Sequence, residues 1–195
     1  MSESLHVPMF PLTLLPLPGE LVPLHIFEPR YKQLLEDTET TDISFGIFLN
    51  HRCNKKRLGA LMKLESVIKR YSGGESDIVV RCVDIFSMEK FHRTYKTRLY
   101  PGGVIRSWQI DQHVMPGIAL YELFLHFQEK RKINHHFTAF TLYQVAAELN
   151  LDLFERYRLM TLSGDKKERF LISHLRFKLH VIRHEEISKD VFHLN

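Results

Sequence analysis

The stretch VPMFPLTLLPLPGELVPLHIFEPRY, residues 7–31, decides how the chain begins to fold. Its first half is rich in proline, which cannot donate a backbone hydrogen bond. We therefore expect an edge strand and a turn there, rather than a helix or a central strand. Residues 21–27 are expected to form a second short extended segment. Pro29 fits the first turn of a helix, where its missing N–H is not needed, and this helix is expected over residues 30–36.

Short apolar runs separated by turn residues continue to about residue 112. Strands are expected over residues 43–49, 62–70, 78–89 and 103–110. In the second of these, period-two alternation places Met62, Leu64 and Ile68 on the buried face. The tight turn Ser72-Gly73-Gly74 leads into the return strand. Asp84 interrupts the apolar positions of that strand, so either it is buried with a partner or a β-bulge shifts the register there.

The sequence becomes helical in character after residue 112. Helices are expected over residues 118–128, from Thr141 to Leu149, from Asp152, and over residues 166–187. Thr141-x-x-Gln144, Asp152-x-x-Glu155 and Asp165-x-x-Glu168 have the spacing of capping boxes, in which two side chains satisfy free backbone donors. The last helix carries one apolar stripe, made of Leu171, Leu175, Leu179 and Ile182. We expect a β domain over residues 1–112 and a helical domain over residues 113–195.

Composition points to an ordinary globular protein of 195 residues, with 44% hydrophobic residues and a net charge of +4. Residues 1–112 hold 15 Lys/Arg and 13 Asp/Glu, and residues 113–195 hold 12 and 10, so the positive excess is even. No apolar run is long enough to cross a membrane. The amino terminus lacks the basic start of a signal peptide. Cys53 and Cys82 are too few for a disulfide scaffold, and we expect reduced thiols in the cytoplasm.

The sequence lacks the motifs that common catalytic sites require. It has no phosphate loop and no G-x-S-x-G nucleophile motif. Ser188-Lys189 lies on a polar tail with nothing to exclude water, whereas a working Ser–Lys pair needs a desolvated lysine. His180-x-x-x-His184, His135-His136 and His51-x-Cys53 do not complete a zinc set. We therefore expect no catalytic residues, no bound cofactor and no metal.

One segment, KFHRTYKTR at residues 90–98, interleaves aromatic and basic residues. Such a pattern can stack bases and hold phosphates, and it also occurs on the solvated face of a hairpin. In an extended strand Phe91 and Tyr95 point to the same face, because their spacing is even. Phe91 and Tyr95, with Arg93 beside them, are the candidate contacts for a polypeptide partner, and RNA is the alternative ligand.

A family resemblance rests on the opening stretch. The residues that carry it are Pro11, Pro18, Gly19, Pro23, Phe27, Glu28, Pro29, Arg30 and Tyr31. Together they resemble the opening of the amino-terminal domain of Lon proteases, and residues 143–151, 156–160 and 167–171 resemble its helical part. The resemblance implies an α+β fold: a PUA-like β-barrel followed by a helical bundle with one long terminal helix. We expect the signature to be structural, with Glu28 capping a helix, Arg30 bonding a carbonyl and Tyr31 packing.

The resemblance also implies a function. It favours a stand-alone, non-catalytic module that lacks the ATPase and peptidase parts of Lon and binds unfolded or extended polypeptides. An adaptor linked to proteolysis, with a protease or chaperone as partner, would be one form of this role. The alternative is an RNA-binding protein, because PUA-like barrels in other families bind RNA. No membrane partner is expected.

Overall fold

The contacts between residues divide the chain into two compact units, Met1–Gln112 and His113–Asn195. The computed structural model describes residues 4–132 and 139–192, with the side chains of the last helix described up to residue 185. The first unit is mostly β, and the second is helical and ends in a long helix. The α+β class that the sequence predicts is therefore confirmed.

The first unit, from residue 4 where its description starts, contains one six-stranded sheet. Its elements are β1 (Leu5–Leu12), β2 (Leu21–Ile26), α1 (Pro29–Thr41), β3 (Phe45–Leu49), β4 (Leu58–Arg70), β5 (Ser76–His92) and β6 (Gly102–Ser107). The strand order is β2-β5-β4-β3-β1-β6, and β6 also pairs with the second half of β5, so the sheet curls back on itself. Among the described residues β2 has a strand partner on one side only, so the sheet keeps an open edge. The expected PUA-like barrel is therefore not fully closed.

A β-bulge in β5 resolves the question of Asp84. Leu61 is opposite Asp84 whereas Met62 is opposite Cys82, so Val83 is the extra residue. The Asp84 carboxylate also accepts hydrogen bonds from Ser107 Oγ at 3.0 Å and Gln112 Nε2 at 2.7 Å. The bulge and the partners thus occur together, and they join β5 to the chain that leaves β6.

Two further register shifts in β4 overturn one expectation. They lie between Leu64 and Ser66 and between Val67 and Lys69. Each shift breaks the period-two alternation, because an extra residue reverses the face of all that follow. Ile68, which the alternation predicts to be buried, is 66% exposed.

Two glycines allow the core of the β unit to close around Phe86. Gly59 is opposite Phe86 on β5, and Gly46 lies on the neighbouring strand β3. A Cβ atom on Gly46 would lie 2.9 Å from the Phe86 ring, and one on Gly59 would lie 2.7 Å from the Ile47 carbonyl oxygen as well as against that ring. The ring therefore occupies space that only glycine leaves free. Around it pack Val7, Met9, Met88 and Ile105.

In its described residues the second unit has four helices. They are α2 (Ile118–Lys130), α3 (Leu142–Glu148), α4 (Leu153–Thr161) and α5 (Gly164–Phe192). Both reciprocal hydrogen bonds of a capping box are present at Thr141 with Gln144 and at Asp152 with Glu155, so these two predictions are confirmed. The third is wrong: α5 already begins at Gly164, which places Asp165 within its first turn.

The apolar stripe of α5 holds this unit together in its first half. Leu171 and Leu175 are fully buried, whereas Leu179 and Ile182 are half-buried. Helix α2 packs against α5. The core also contains a buried lysine, Lys167, whose Nζ donates to the Tyr143 hydroxyl at 2.7 Å. Burial lowers the pKa of Lys167, since a charged ammonium is poorly solvated there.

Candidate functional site

The residues that the sequence proposes as polypeptide contacts do not form one face. β5 ends at His92, so Arg93 and Tyr95 lie in the loop that follows, and the even-spacing argument does not hold. The Tyr95 ring is half-buried, with its centroid 4.9 Å from that of His6 and 5.8 Å from that of Tyr100. Phe91 stays 41% exposed and Arg93 is exposed.

The rest of this loop is fastened to α1. Arg98 pairs with the Asp37 carboxylate at 3.1 Å, and the buried Tyr100 hydroxyl donates to the same carboxylate at 2.6 Å. Burial, followed by this hydrogen bond, raises the pKa of Tyr100. Lys96 Nζ lies 5.2 Å from the centre of the Tyr95 ring. Two basic residues of the segment therefore already have partners within the protein.

The helix start of the family signature lies at the beginning of α1, with contacts that differ in part from those expected. Glu28 occupies the N-cap position of α1 and Pro29 the first turn, but the Glu28 side chain makes no capping hydrogen bond. It pairs instead with Arg30, whose Nε donates to it at 2.9 Å. Arg30 therefore bonds a carboxylate rather than a carbonyl. Tyr31 is buried and its ring stacks on Phe10, with centroids 3.9 Å apart.

The other signature residues shape the turn and the sheet edge. Gly19 has a φ of 81°, which favours glycine, and the preceding Pro18 is buried. Pro23 lies in the edge strand β2. Pro11 lies in β1, which pairs with both β3 and β6, so the expectation of an edge strand there is wrong. Phe27 is the exception, because its side chain is 59% exposed. Packing within the described residues does not account for a phenylalanine at that position.

The open edge of the sheet is the outer side of β2. The Cys82 N–H donates to the Glu20 carbonyl at 2.9 Å, and Val22 is opposite Val80. Because facing alternates along an antiparallel strand, the even-numbered residues of β2 turn their backbone groups to β5. The backbone groups of Leu21, Pro23 and His25 therefore point away from β5, toward the open edge. Pro23 fits this position, since it has no N–H to donate.

Three rings gather at the end of this edge, and we call His25, Phe27, Tyr71 and Asp77 the aromatic edge. The His25 ring centroid lies 5.9 Å from those of both Phe27 and Tyr71. Asp77 holds the group together: its carboxylate contacts His25 Nδ1 at 2.6 Å and accepts from the Tyr71 hydroxyl at 2.6 Å. The side chains of Phe27 and Tyr71 are 59% and 38% exposed, so the cluster presents apolar surface to solvent.

The polar contacts within the aromatic edge shift two pKa values. The hydrogen bond to Asp77 raises the pKa of Tyr71, because it makes loss of the phenolic proton less favourable. In the other direction, the hydrogen bonds from Tyr71 and then His25 lower the pKa of Asp77. At neutral pH Asp77 is therefore a carboxylate that orients two rings.

Sequence reasoning missed the aromatic edge. His25 lies in β2, Tyr71 follows β4 and Asp77 lies in β5, so three elements supply it. The β2–β5 register brings His25 opposite Asp77, and the hairpin brings Tyr71 back beside them. The available signal was Phe27, an aromatic residue directly after an edge strand and before a helix start.

The residues considered for catalytic or metal chemistry have the following surroundings. The part of the chain with described side chains contains no group of three metal-ligating residues. His180 and His184 stack edge to face with centroids 4.4 Å apart. Burial raises the pKa of the Cys82 thiol, which makes it a poor nucleophile. His135-His136 and the side chains of Ser188-Lys189 lie outside the described residues.

Comparison with known proteins points to one fold. No protein-family model matches the sequence. No curated protein matches it either. Among solved structures, a Lon N-terminal domain protein from Xanthomonas campestris is similar with a TM-score of 0.66 and 22% identity, covering 88% of this chain and 98% of that one. The N-terminal domain of Mycobacterium avium complex Lon protease is similar with a TM-score of 0.58 and 14% identity, over the same shares.

Among the described residues no helix has both the length and the apolar character to cross a membrane.

The structural similarity covers nearly all of both Lon domains, and it extends over strands and helices of this chain. At these identities the similarity concerns the fold. The chain therefore has the fold of the Lon protease amino-terminal domain, as its opening signature predicts.

Proposed function

We propose that this protein binds extended polypeptide segments at the aromatic edge and performs no reaction on them. The observation that carries the proposal is an open strand edge with exposed rings at its end, Phe27 and Tyr71. Added strands bind such edges through main-chain hydrogen bonds, while side-chain contacts give selectivity.

The geometry of β2 limits how such a segment would bind. Leu21 and His25 turn N–H and C=O groups outward, whereas Pro23 offers a carbonyl only. An added strand therefore has a broken ladder of hydrogen bonds, which favours weak and reversible binding over permanent pairing. Phe27 would contact an apolar side chain of the client, since its ring is exposed beyond the end of the strand.

The similarity to two solved structures also supports this role. Both are amino-terminal domains of Lon proteins. A protein with this fold that binds clients and also contacts a protease or chaperone would act as an adaptor linked to proteolysis. We include this adaptor role, in the cytoplasm, within the proposal.

Phe91 and Arg93 form the second part of the proposal, as a smaller contact surface at the far end of β5. Phe91 is exposed there, and Arg93 follows the strand end. Tyr95 contributes by packing the loop against His6 rather than by touching a client. RNA is the alternative ligand for this segment, although Lys96 and Arg98 already have partners within the protein.

The test is a titration of a labelled, permanently unfolded protein and of a labelled single-stranded RNA at about 50 and 200 mM salt. Apolar and main-chain contacts should weaken little over this range, whereas 6–10 phosphate contacts would lose roughly a thousandfold or more. We expect the unfolded protein to bind at both salt levels. Phe27→Ala/Tyr71→Ala should weaken it clearly, and Phe91→Ala less.

The matched control is Ile118→Ala, which removes a more exposed apolar side chain from the helical unit, 79% exposed. It should leave affinity unchanged. A short client peptide with alternate backbone amides methylated should bind more weakly than its unmodified form if main-chain pairing to β2 occurs. Salt-sensitive RNA binding with no polypeptide binding would replace the proposal by the RNA alternative.

A further inference from the structure

A cleft lies between α2 and α5 in the helical unit. Its volume is about 510 Å³, and its walls include His126 and Lys130 from α2 and Arg176, His180 and Arg183 from α5. Half-buried Leu179 and Ile182 also line it. A second, shallower depression continues from Arg176 to Arg169. Together they make one groove with aliphatic side chains and a basic rim, which we call the basic groove.

Three arginines along the basic groove stand out from its other charges. Arg169, Arg176 and Arg183 are all exposed, and among the side chains that the structure describes none of them has a carboxylate partner. The lining of both depressions includes no aspartate or glutamate. The carboxylate of Glu129, which is not part of the lining, lies 3.8 Å from His126 Nδ1. Isolated like charges along one groove are unfavourable, and an anionic partner would relieve them.

The three arginines follow the seven-residue repeat of a helix that packs beside another helix. They are spaced by seven residues, and Arg183 lies about 21 Å along α5 from Arg169 at 1.5 Å per residue. Beside them run the apolar residues Ile172, Leu175, Leu179 and Ile182, with the 3-4-3 spacing of a coiled-coil seam. In that arrangement the charged row next to the seam forms ion pairs with the facing helix.

We propose that the basic groove binds an amphipathic helix with an acidic flank. Aliphatic side chains of the partner would contact Leu179, Ile182 and Ile172. Carboxylates seven residues apart on the partner would pair with Arg169, Arg176 and Arg183. The basic groove and the aromatic edge share no residue, so this proposal goes beyond polypeptide binding at β2 and gives the protein a second, charge-selected partner.

A nucleic acid fits the groove less well. Bases that bind without sequence preference stack on aromatic rings. The described lining has no phenylalanine, tyrosine or tryptophan, and its non-basic members are aliphatic apart from Ser173. The spacing of the arginines, near 10 Å, also corresponds to two helical turns. These features favour a helix with carboxylates over a chain of phosphates.

The experiment uses the full chain and two designed peptides of about 21 residues. The first has leucine at seam positions and glutamate on the flanking row, and the second has lysine in place of each glutamate. Binding is measured by fluorescence anisotropy at about 50 mM salt, with poly(U) RNA as a third probe. We expect the glutamate peptide to bind and the lysine peptide not to bind. Arg169→Ala/Arg176→Ala/Arg183→Ala should lower the affinity about tenfold, since each rim ion pair contributes modestly.

Three controls make the result decisive. The corresponding triple lysine variant should retain most of the affinity, and Lys55→Ala/Arg52→Ala, in a loop of the β unit, should retain all of it. Circular dichroism checks that the variants keep their helix, which we expect because the three arginines are exposed. Poly(U) binding that depends on the arginines without binding of the glutamate peptide would overturn the proposal, as would equal affinity of the triple alanine variant. Loss of unfolded-protein binding in Phe27→Ala/Tyr71→Ala tests the aromatic edge separately.

Discussion

The two units have the same net charge but differ in how their basic side chains are paired. In the β unit several basic side chains pair with carboxylates of other elements, as in Arg81 with Glu65 at 2.7 Å and Lys63 with Asp42 at 2.9 Å. In the helical unit Arg169, Arg176 and Arg183 have no carboxylate partner among the described side chains, while His174 pairs with Glu155 at 2.9 Å. The exposed apolar groups differ too: rings at a strand edge in the first unit, aliphatic side chains within a groove in the second.

This difference shows why net charge is a weak guide to binding. Counting residues gives an even excess in both halves, which argues against a concentrated basic surface. The surface nevertheless exists in the helical unit, because a seven-residue spacing gathers arginines on one side of a helix. Pairing, rather than the sum of charges, decides which surface attracts an anionic partner.

The largest expected effect concerns the helix that carries the arginines. Leu175 is fully buried in α5, so Leu175→Ala should lower the free energy of unfolding by about 2–5 kcal/mol. Urea denaturation followed by circular dichroism measures this loss. Leu125→Ala on α2, where the side chain is 40% exposed, should cost clearly less. A loss below roughly 0.5 kcal/mol for Leu175→Ala would show that Leu175 does not lie on the buried face of α5, on which the comparison of the two units depends.

A smaller effect is expected in the core of the β unit. Gly59→Ala introduces a Cβ against the Phe86 ring and the Ile47 carbonyl, so it should destabilise the protein by roughly 1–3 kcal/mol. Gly164→Ala is the matched control in the helical unit, since nothing lies within 4 Å of its added Cβ. Thermal unfolding compares the two variants. Equal melting temperatures would mean that Phe86 can move aside.

The smallest expected effect is a change in titration at the aromatic edge. The Tyr71 and His25 hydrogen bonds lower the pKa of Asp77, so this group favours the folded state above its unfolded pKa, about 3.9. That contribution is lost as the pH falls through the lowered value. Tyr71→Phe removes the hydrogen bond that lowers the pKa of Asp77 the most. It should move the titration midpoint of the Asp77 carboxyl back toward about 3.9, which carboxyl NMR measures. An unmoved midpoint would show that the hydroxyl does not bind this carboxylate in solution.

Sequence reasoning captured most of the fold because local chemistry decides those elements. The capping residues Thr141 and Asp152 fix two helix starts, and Pro29 begins α1. Sequence reasoning failed where the structure depends on pairing between strands that are distant in the chain. The shifts in β4 that expose Ile68, and the open edge at β2, follow from register rather than from any residue of the segment itself.

The candidate site was harder to predict for the same reason. Phe91 and Tyr95 suit an extended hairpin, yet β5 ends between them and Tyr100 draws Tyr95 inward. The aromatic edge joins His25 and Tyr71, which are far apart in the chain. The apolar stripe of α5 was visible in the sequence. The groove beside the arginine row was not, because it depends on where α2 packs against α5.

The pairing of β1 with β6 has a consequence for synthesis of the chain. Leu5 pairs with Ile105, about a hundred residues later, so this edge of β1 stays open while the ribosome makes the intervening segment. At 5–20 residues per second that wait is roughly 5–20 s. An open apolar edge is prone to pair with a neighbouring nascent chain. The Met9 N–H donates to the Pro101 carbonyl at 2.8 Å, so the odd-numbered residues of β1 face β6. Pro11 therefore removes an amide donor from this side of β1, which lowers its ability to recruit a foreign strand before β6 arrives.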